Sequence, residues 1–73
     1  MFMKYLVVVE KSRSGYGAYV PDLPGCVAAG KTRREVVALI QEAIEFHIEG
    51  LKKDGSPIPP PSSQAELVDI PAA

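Results

Sequence analysis

Thr32–Lys53, TRREVVALIQEAIEFHIEGLKK, reads as a single helix from its first residue to its last. Thr32 with Glu35 three positions on forms a capping box, in which the hydroxyl and the carboxylate each take up a backbone N–H that a first helical turn leaves unpaired. The helix is therefore expected over 33–53. At 100° per residue, Val36, Val37, Ile40, Ala43, Ile44, His47, Ile48 and Leu51 fall on one side, and Glu42, Glu45 and Glu49 on the other. A stripe of that kind needs another layer to cover it. Lys52 and Lys53 complement the negative end of the helix dipole, and Asp54-Gly55 supplies the stop.

Upstream, the covering layer is legible as strands. KYLVVV at 4–9 is β-branched and aromatic, with Tyr5, Val7 and Val9 on one face and Leu6 and Val8 on the other, which predicts a strand over about 3–11. Ser12–Gly17 (SRSGYG) is polar and glycine-punctuated, a hairpin loop, so a second strand over about 17–21 should pair antiparallel with the first. Pro21 stops it. In Pro21–Gly25 two prolines fix φ and a glycine permits an unusual backbone angle, which makes a rigid corner before a third strand over about 26–30. Downstream of the helix, 54–64 carries four of the seven prolines and is expected to cross the domain in a stiff polyproline-like form. AELVDI then alternates well enough to return as a fourth strand over about 65–70. The expected class is α+β, ordered βββαβ, an antiparallel sheet packed against one long helix in a single domain over 1–73.

Composition narrows the function. A chain of 73 residues hides only about 60% of the surface its unfolded form exposes, so stability is modest and a homo-oligomer is expected. Eight basic and nine acidic side chains leave a net charge of −1, which provides no general field for nucleic-acid binding. The single Cys26 excludes an internal disulfide and a CxxC pair, and the opening apolar run is too short for a bilayer span or an export signal. A cytoplasmic protein is expected.

The candidate chemistry is thin. A thiolate nucleophile needs an imidazole within reach, yet Cys26 opens a strand and His47 lies on the apolar helix stripe, so both read as core-lining groups. Metal-assisted hydrolysis needs converging carboxylates, whereas Glu10, Asp22, Glu35 and Asp69 are scattered over strand ends and a helix cap. Gly15-Tyr16-Gly17 precedes a strand, not a helix N-terminus, and reads as a turn. No catalytic residue, metal or cofactor is expected. Lys31, Arg33 and Arg34 crowd the positive end of the helix dipole, which invites an anionic partner but equally suits long solvated side chains. Leu39, Phe46 and Gly50 form a second apolar line beside the core stripe, and Phe46 is expected to serve self-association.

KYLVVVEK at 4–11, VPDLPGC at 20–26, GKTRREV at 30–36, QEAIEFHIEGL at 41–51 and KDGSPIPPP at 53–61 together resemble the HicB antitoxin family, in its short partial ribonuclease H-like domain. The resemblance implies a protein that neutralises a small HicA-type RNA-cleaving toxin by docking on it. Tyr16, Tyr19, Asp22 and Leu23, around the hairpin and corner, are the expected partner contacts. Many such proteins carry a further C-terminal DNA-binding segment; this sequence shows none up to Ala73, so no autonomous DNA binding is expected. The rival expectations are an orphan oligomeric adaptor domain and a vestigial RNA-processing enzyme.

Overall fold

A computed structural model describes residues 3–72. Three strands, β1 (Val8–Lys11), β2 (Tyr16–Tyr19) and β3 (Val27–Gly30), precede one helix, α1 (Arg33–Lys53). The strands form an antiparallel sheet in the order β1-β2-β3, with Val8 opposite Tyr19 and Tyr19 opposite Val27. The α+β class and the helix bounds are those expected. The strand bounds are not: the first is confined to its last four residues, and Tyr16 and Gly17 belong to β2, leaving the hairpin loop to Ser12–Gly15.

The shortening of β1 has a local cause. Residues 4–7 lie past the end of β2, where the chain turns away at Pro21, a residue that has no N–H to offer a ladder. KYLV therefore has the composition of a strand without a neighbour to pair with. The same holds at the other end of the chain, where the expected fourth strand over 65–70 is absent. Nothing from 57 to 72 joins a ladder or a backbone-to-backbone hydrogen bond among the described residues. Alternation alone makes no strand when no edge lies beside it.

The corner is two consecutive turns. Leu23 N–H donates to the Val20 carbonyl (3.1 Å), Cys26 N–H to the Leu23 carbonyl (3.1 Å), and Val20 N–H to the Cys26 carbonyl (3.2 Å). Pro21 and Pro24 each take the second place of a turn. Gly25 follows Pro24 at φ +84°, the value a type II turn requires of its third residue. This double turn drives the Leu23 side chain inward, where it is fully buried against Val20, Cys26, Val36 and Ile40.

At the start of α1 the Thr32 hydroxyl accepts from Glu35 N–H (3.0 Å), as the capping box requires. The Glu35 carboxylate reaches one residue further back than that motif predicts and accepts from Lys31 N–H at 2.6 Å. It thereby fixes the β3–α1 junction as well as the helix. At the other end Ser56 N–H donates to the Leu51 carbonyl (2.9 Å) and Gly55 N–H to that of Lys52 (3.1 Å), with Gly55 at φ +70°, a Schellman stop. Between these caps the helix sends Val36 and Ile40 fully into the core, while Val37, expected on the same stripe, is substantially exposed. The helix packs mainly over β3 and β2 and little over β1, so the flank of its stripe that faces β1 is left uncovered. Each fully buried aliphatic side chain contributes about 1.5–3 kcal/mol relative to exposure, and with Leu23, Val36 and Ile40 the large ones among the described residues the core is small.

Candidate functional site

Side chains alternate across the sheet. Val9, Tyr16, Ala18 and Ala28 face α1 and pack on the core. Val8, Tyr19 and Val27, directly paired from strand to strand, face the opposite way. Among the described residues no helix or further strand covers that second face, and Tyr19 is 40% and Val27 65% exposed. Gly17 and Ala29 sit beside this row and raise no obstacle above it. The result is a flat apolar row with an aromatic at its centre, flanked by Glu10 on β1. That is chemistry for contact with another surface: an aromatic anchor, shallow neighbours and a charged margin.

Of the residues expected to meet a partner, the structure brings together some and separates others. Tyr19 lies at the centre of the helix-free face. Tyr16 points the other way, half-buried at the edge of the core, with the Lys11 ammonium 5.1 Å from its ring centroid. Leu23 is wholly enclosed and has no surface to offer; its hydrophobicity was drawn into the core by the double turn, which corrects its place among exposed contacts. Phe46 is 83% exposed on α1, and Leu39, two turns earlier on the same line, is partly exposed. The acidic stripe of Glu42, Glu45 and Glu49 is exposed, as are Lys31, Arg33 and Arg34.

Asp22 is held by the segment that follows the helix. Its carboxylate accepts from the backbone N–H groups of Ser62 and Ser63 (both 2.9 Å) and from their hydroxyls (3.2 and 2.7 Å). The two bonds from Ser63 favour the ionised form most; against the opposing effect of burial, and with smaller help from the Ser62 bonds, they hold Asp22 below the usual aspartate range. Nearby, the Tyr5 hydroxyl donates to the Pro59 carbonyl (2.5 Å). Burial, and then the negative charge of Asp22, push that phenol up. The proline segment is thus tied across the corner at two points. Asp22 is a structural clasp, and its partners Ser62 and Ser63 had no local signal in the sequence, being 40 and 41 residues away.

The groups weighed for catalysis do not converge. Cys26 is buried at the end of the corner, and burial raises its thiol pKa, the opposite of what a nucleophile needs. Glu35 is committed to the helix cap and Asp22 to the serines. Among the described residues no three of His, Cys, Asp and Glu gather closely enough to hold a metal ion, and no helix is long and apolar enough to cross a membrane. Val8 and Val27, central to the helix-free face, were missed in the sequence. The alternation of 4–9 had placed Val8 away from the core, but only the pairing with Tyr19 and Val27 assembles the row.

Comparison with known proteins adds the following. Residues 5–72 match the family described as HicB-like antitoxin of bacterial toxin–antitoxin systems. The chain is 39% identical over 69 residues to a 14.9 kDa protein from the rep-hol intergenic region of Haemophilus phage HP1, covering 94% of this chain and 52% of that one. It is 33% identical over 72 residues to antitoxin HicB 2 of Photorhabdus laumondii, covering 97% of this chain and 52% of that one. The chain thus spans about half the length of these curated relatives. Among solved structures, a chain of the HicA3 and HicB3 toxin–antitoxin complex superposes with a TM-score of 0.70 at 37% identity, covering 81% of this chain and 70% of that one.

Proposed function

This chain belongs to the HicB-like antitoxin family, and from that premise we propose that it binds a HicA-type RNA-cleaving toxin in the cytoplasm and neutralises it by docking on it, catalysing nothing itself. The observation that carries the reading is the likeness, in sequence and in fold, to a chain of the HicA3 and HicB3 complex. The helix-free face supports it from the side of physics. Tyr19 is the proposed central contact, with Val8 and Val27 around it and Tyr16 at the hairpin flank. Asp22 acts by holding the corner and the proline segment together. Acidic groups supply the second component. A toxin that holds RNA presents a basic surface, and Glu10 at the margin with the Glu42, Glu45 and Glu49 stripe gives complementary charge that speeds encounter and disfavours wrong partners.

Phe46, so exposed on α1 with Leu39 two turns earlier on the same line, is the proposed point of self-association on the helix. It also motivates the second reading, an oligomeric adaptor that engages no toxin.

The test is an RNA-cleavage assay with a HicA-type toxin, labelled RNA and this chain added in increasing ratio. Cleavage should stop near stoichiometric addition, and Tyr19→Asp should abolish the inhibition while leaving circular dichroism unchanged. Cleavage that persists in excess of the chain overturns the reading and leaves the adaptor. RNA cut by the chain alone with Mg²⁺, and lost in Asp22→Ala or Glu35→Ala, would install the enzyme instead.

A further inference from the structure

Two segments with the composition of strands find no ladder partner among the described residues: 4–7 at one edge of the sheet and 65–70 beyond the proline segment. The second is the more exposed. Leu67 is 99% exposed, and Val68 and Ile70 are also open to solvent, an unusual outlay of apolar surface for a domain with so small a core. Beyond the clasp of Asp22 on Ser62 and Ser63, no hydrogen bond ties 64–72 to the body among the described residues. The clasp fixes the segment at the corner, and every residue from Gln64 to Ala72 then runs exposed. The molecule is 51 Å long although a 21-residue helix accounts for only about 31 Å, which fits a tail that projects from the body.

The complementary surface lies on the same molecule. Because α1 leans toward β3, a groove of about 720 Å³ opens between the helix and the chain at 3–9. Its floor is apolar, including Val7, Val9, Val37 and Ile44; Lys4 and Arg33 stand on its rim, with Glu45 as the one carboxylate. The edge beside it is β1 and its unpaired extension 4–7, with backbone groups free to accept a ladder.

We propose that the tail of one copy adds as a strand to the 4–8 edge of a second copy, so that two copies exchange residues 64–70 reciprocally. In such a strand Val68 and Ile70 share a face and enter the groove beneath the helix of the other copy, while Leu67 takes the opposite face beside Leu6 and Val8. Glu66, on the same face as Val68 and Ile70, meets a rim on which Lys4 and Arg33 outnumber Glu45. One operation satisfies both unpaired segments, covers the exposed apolar side chains and yields a closed twofold assembly with no remaining copy of either surface. This interface is distinct from the helix-free face and from Phe46, and it needs no toxin.

Light scattering and sedimentation of the full chain without any partner test it. In a Phe46→Ser chain, which removes the helix contact proposed above, the expected mass is twice the 7.8 kDa of the chain, and adding Val68→Asp/Ile70→Asp should return it to the single mass with unchanged circular dichroism, since both side chains are largely exposed in the isolated chain. A Cys26→Ser background carrying Val68→Cys, mixed with one carrying Val7→Cys, should give an oxidised heterodimer, and Ile70→Asp added to the Val68→Cys chain should prevent it. A single-mass species at all concentrations overturns the proposal. So does a dimer that survives Val68→Asp/Ile70→Asp but falls apart in Phe46→Ser, which would move the interface to the helix. A single-mass chain that still silences a HicA-type toxin would sink this inference alone and leave the functional reading standing.

Discussion

Leu23 and Leu67 are the same side chain in two opposite settings, the first fully enclosed in the corner and the second 99% exposed in the tail. Their local sequences are alike: PDLPG around one and AELVDIP around the other, each mixing a carboxylate, an aliphatic residue and a proline. The corner closes on itself through two hydrogen-bonded turns and delivers its leucine onto α1. The tail has no such turn, and its one anchor, the Asp22 clasp, ends before the apolar residues begin. The contrast shows that hydrophobic residues enter a core only where backbone geometry carries them to it. What is left outside becomes a surface for another chain.

The largest effect that probes this contrast is core truncation. Leu23→Ala should cost about 2–5 kcal/mol in urea unfolding, a large share of what a domain this size possesses. In the same assay, on a chain held as a single-mass species, Leu67→Ala should change stability by no more than about 0.5 kcal/mol. Equal losses at the two sites would erase the distinction. Next in size is the turn that steers Leu23 inward: Gly25→Ala, placed at φ +84°, should cost about 1 kcal/mol or more, with Tm falling accordingly and the tail unaffected.

The smallest effect on stability, and the most local, concerns the clasp. The Asp22 pKa is depressed in the folded chain, so the bonds to Ser62 and Ser63 contribute in full above the ordinary aspartate range and are lost as pH falls through that range and past it to the depressed value. Amide resonances of Ser62 and Ser63 should therefore report release of the proline segment in that acid window, while Val36 and Ile40 in the core keep theirs. A midpoint at or above the ordinary aspartate value would contradict the clasp.

The helix, expected over about 33–53, was legible in the sequence because capping, periodicity and the glycine stop are all local and all agree. The hairpin and corner were legible as turns for the same reason, though the loop was drawn two residues too long. The strands at 3–7 and 65–70 were misjudged because a strand is a relation between two segments, and composition describes only one. Among the residues expected to meet a partner Tyr19 is exposed and Leu23 is enclosed, and Val8 and Val27 emerged only when register placed them beside Tyr19.

By itself, then, the sequence determined what each segment could become: a capped amphipathic helix, two tight turns, β-prone runs, a stiff proline crossing. Those choices are made by sterics and hydrogen bonds spanning a few residues. Only the tertiary structure decided which apolar side chains were enclosed, that Asp22 clasps serines some 40 residues away, and that one face of the sheet and one tail remain without cover. Such outcomes depend on where separate segments meet in space, and a helix leaning toward β3 could not be read from any single stretch of chain.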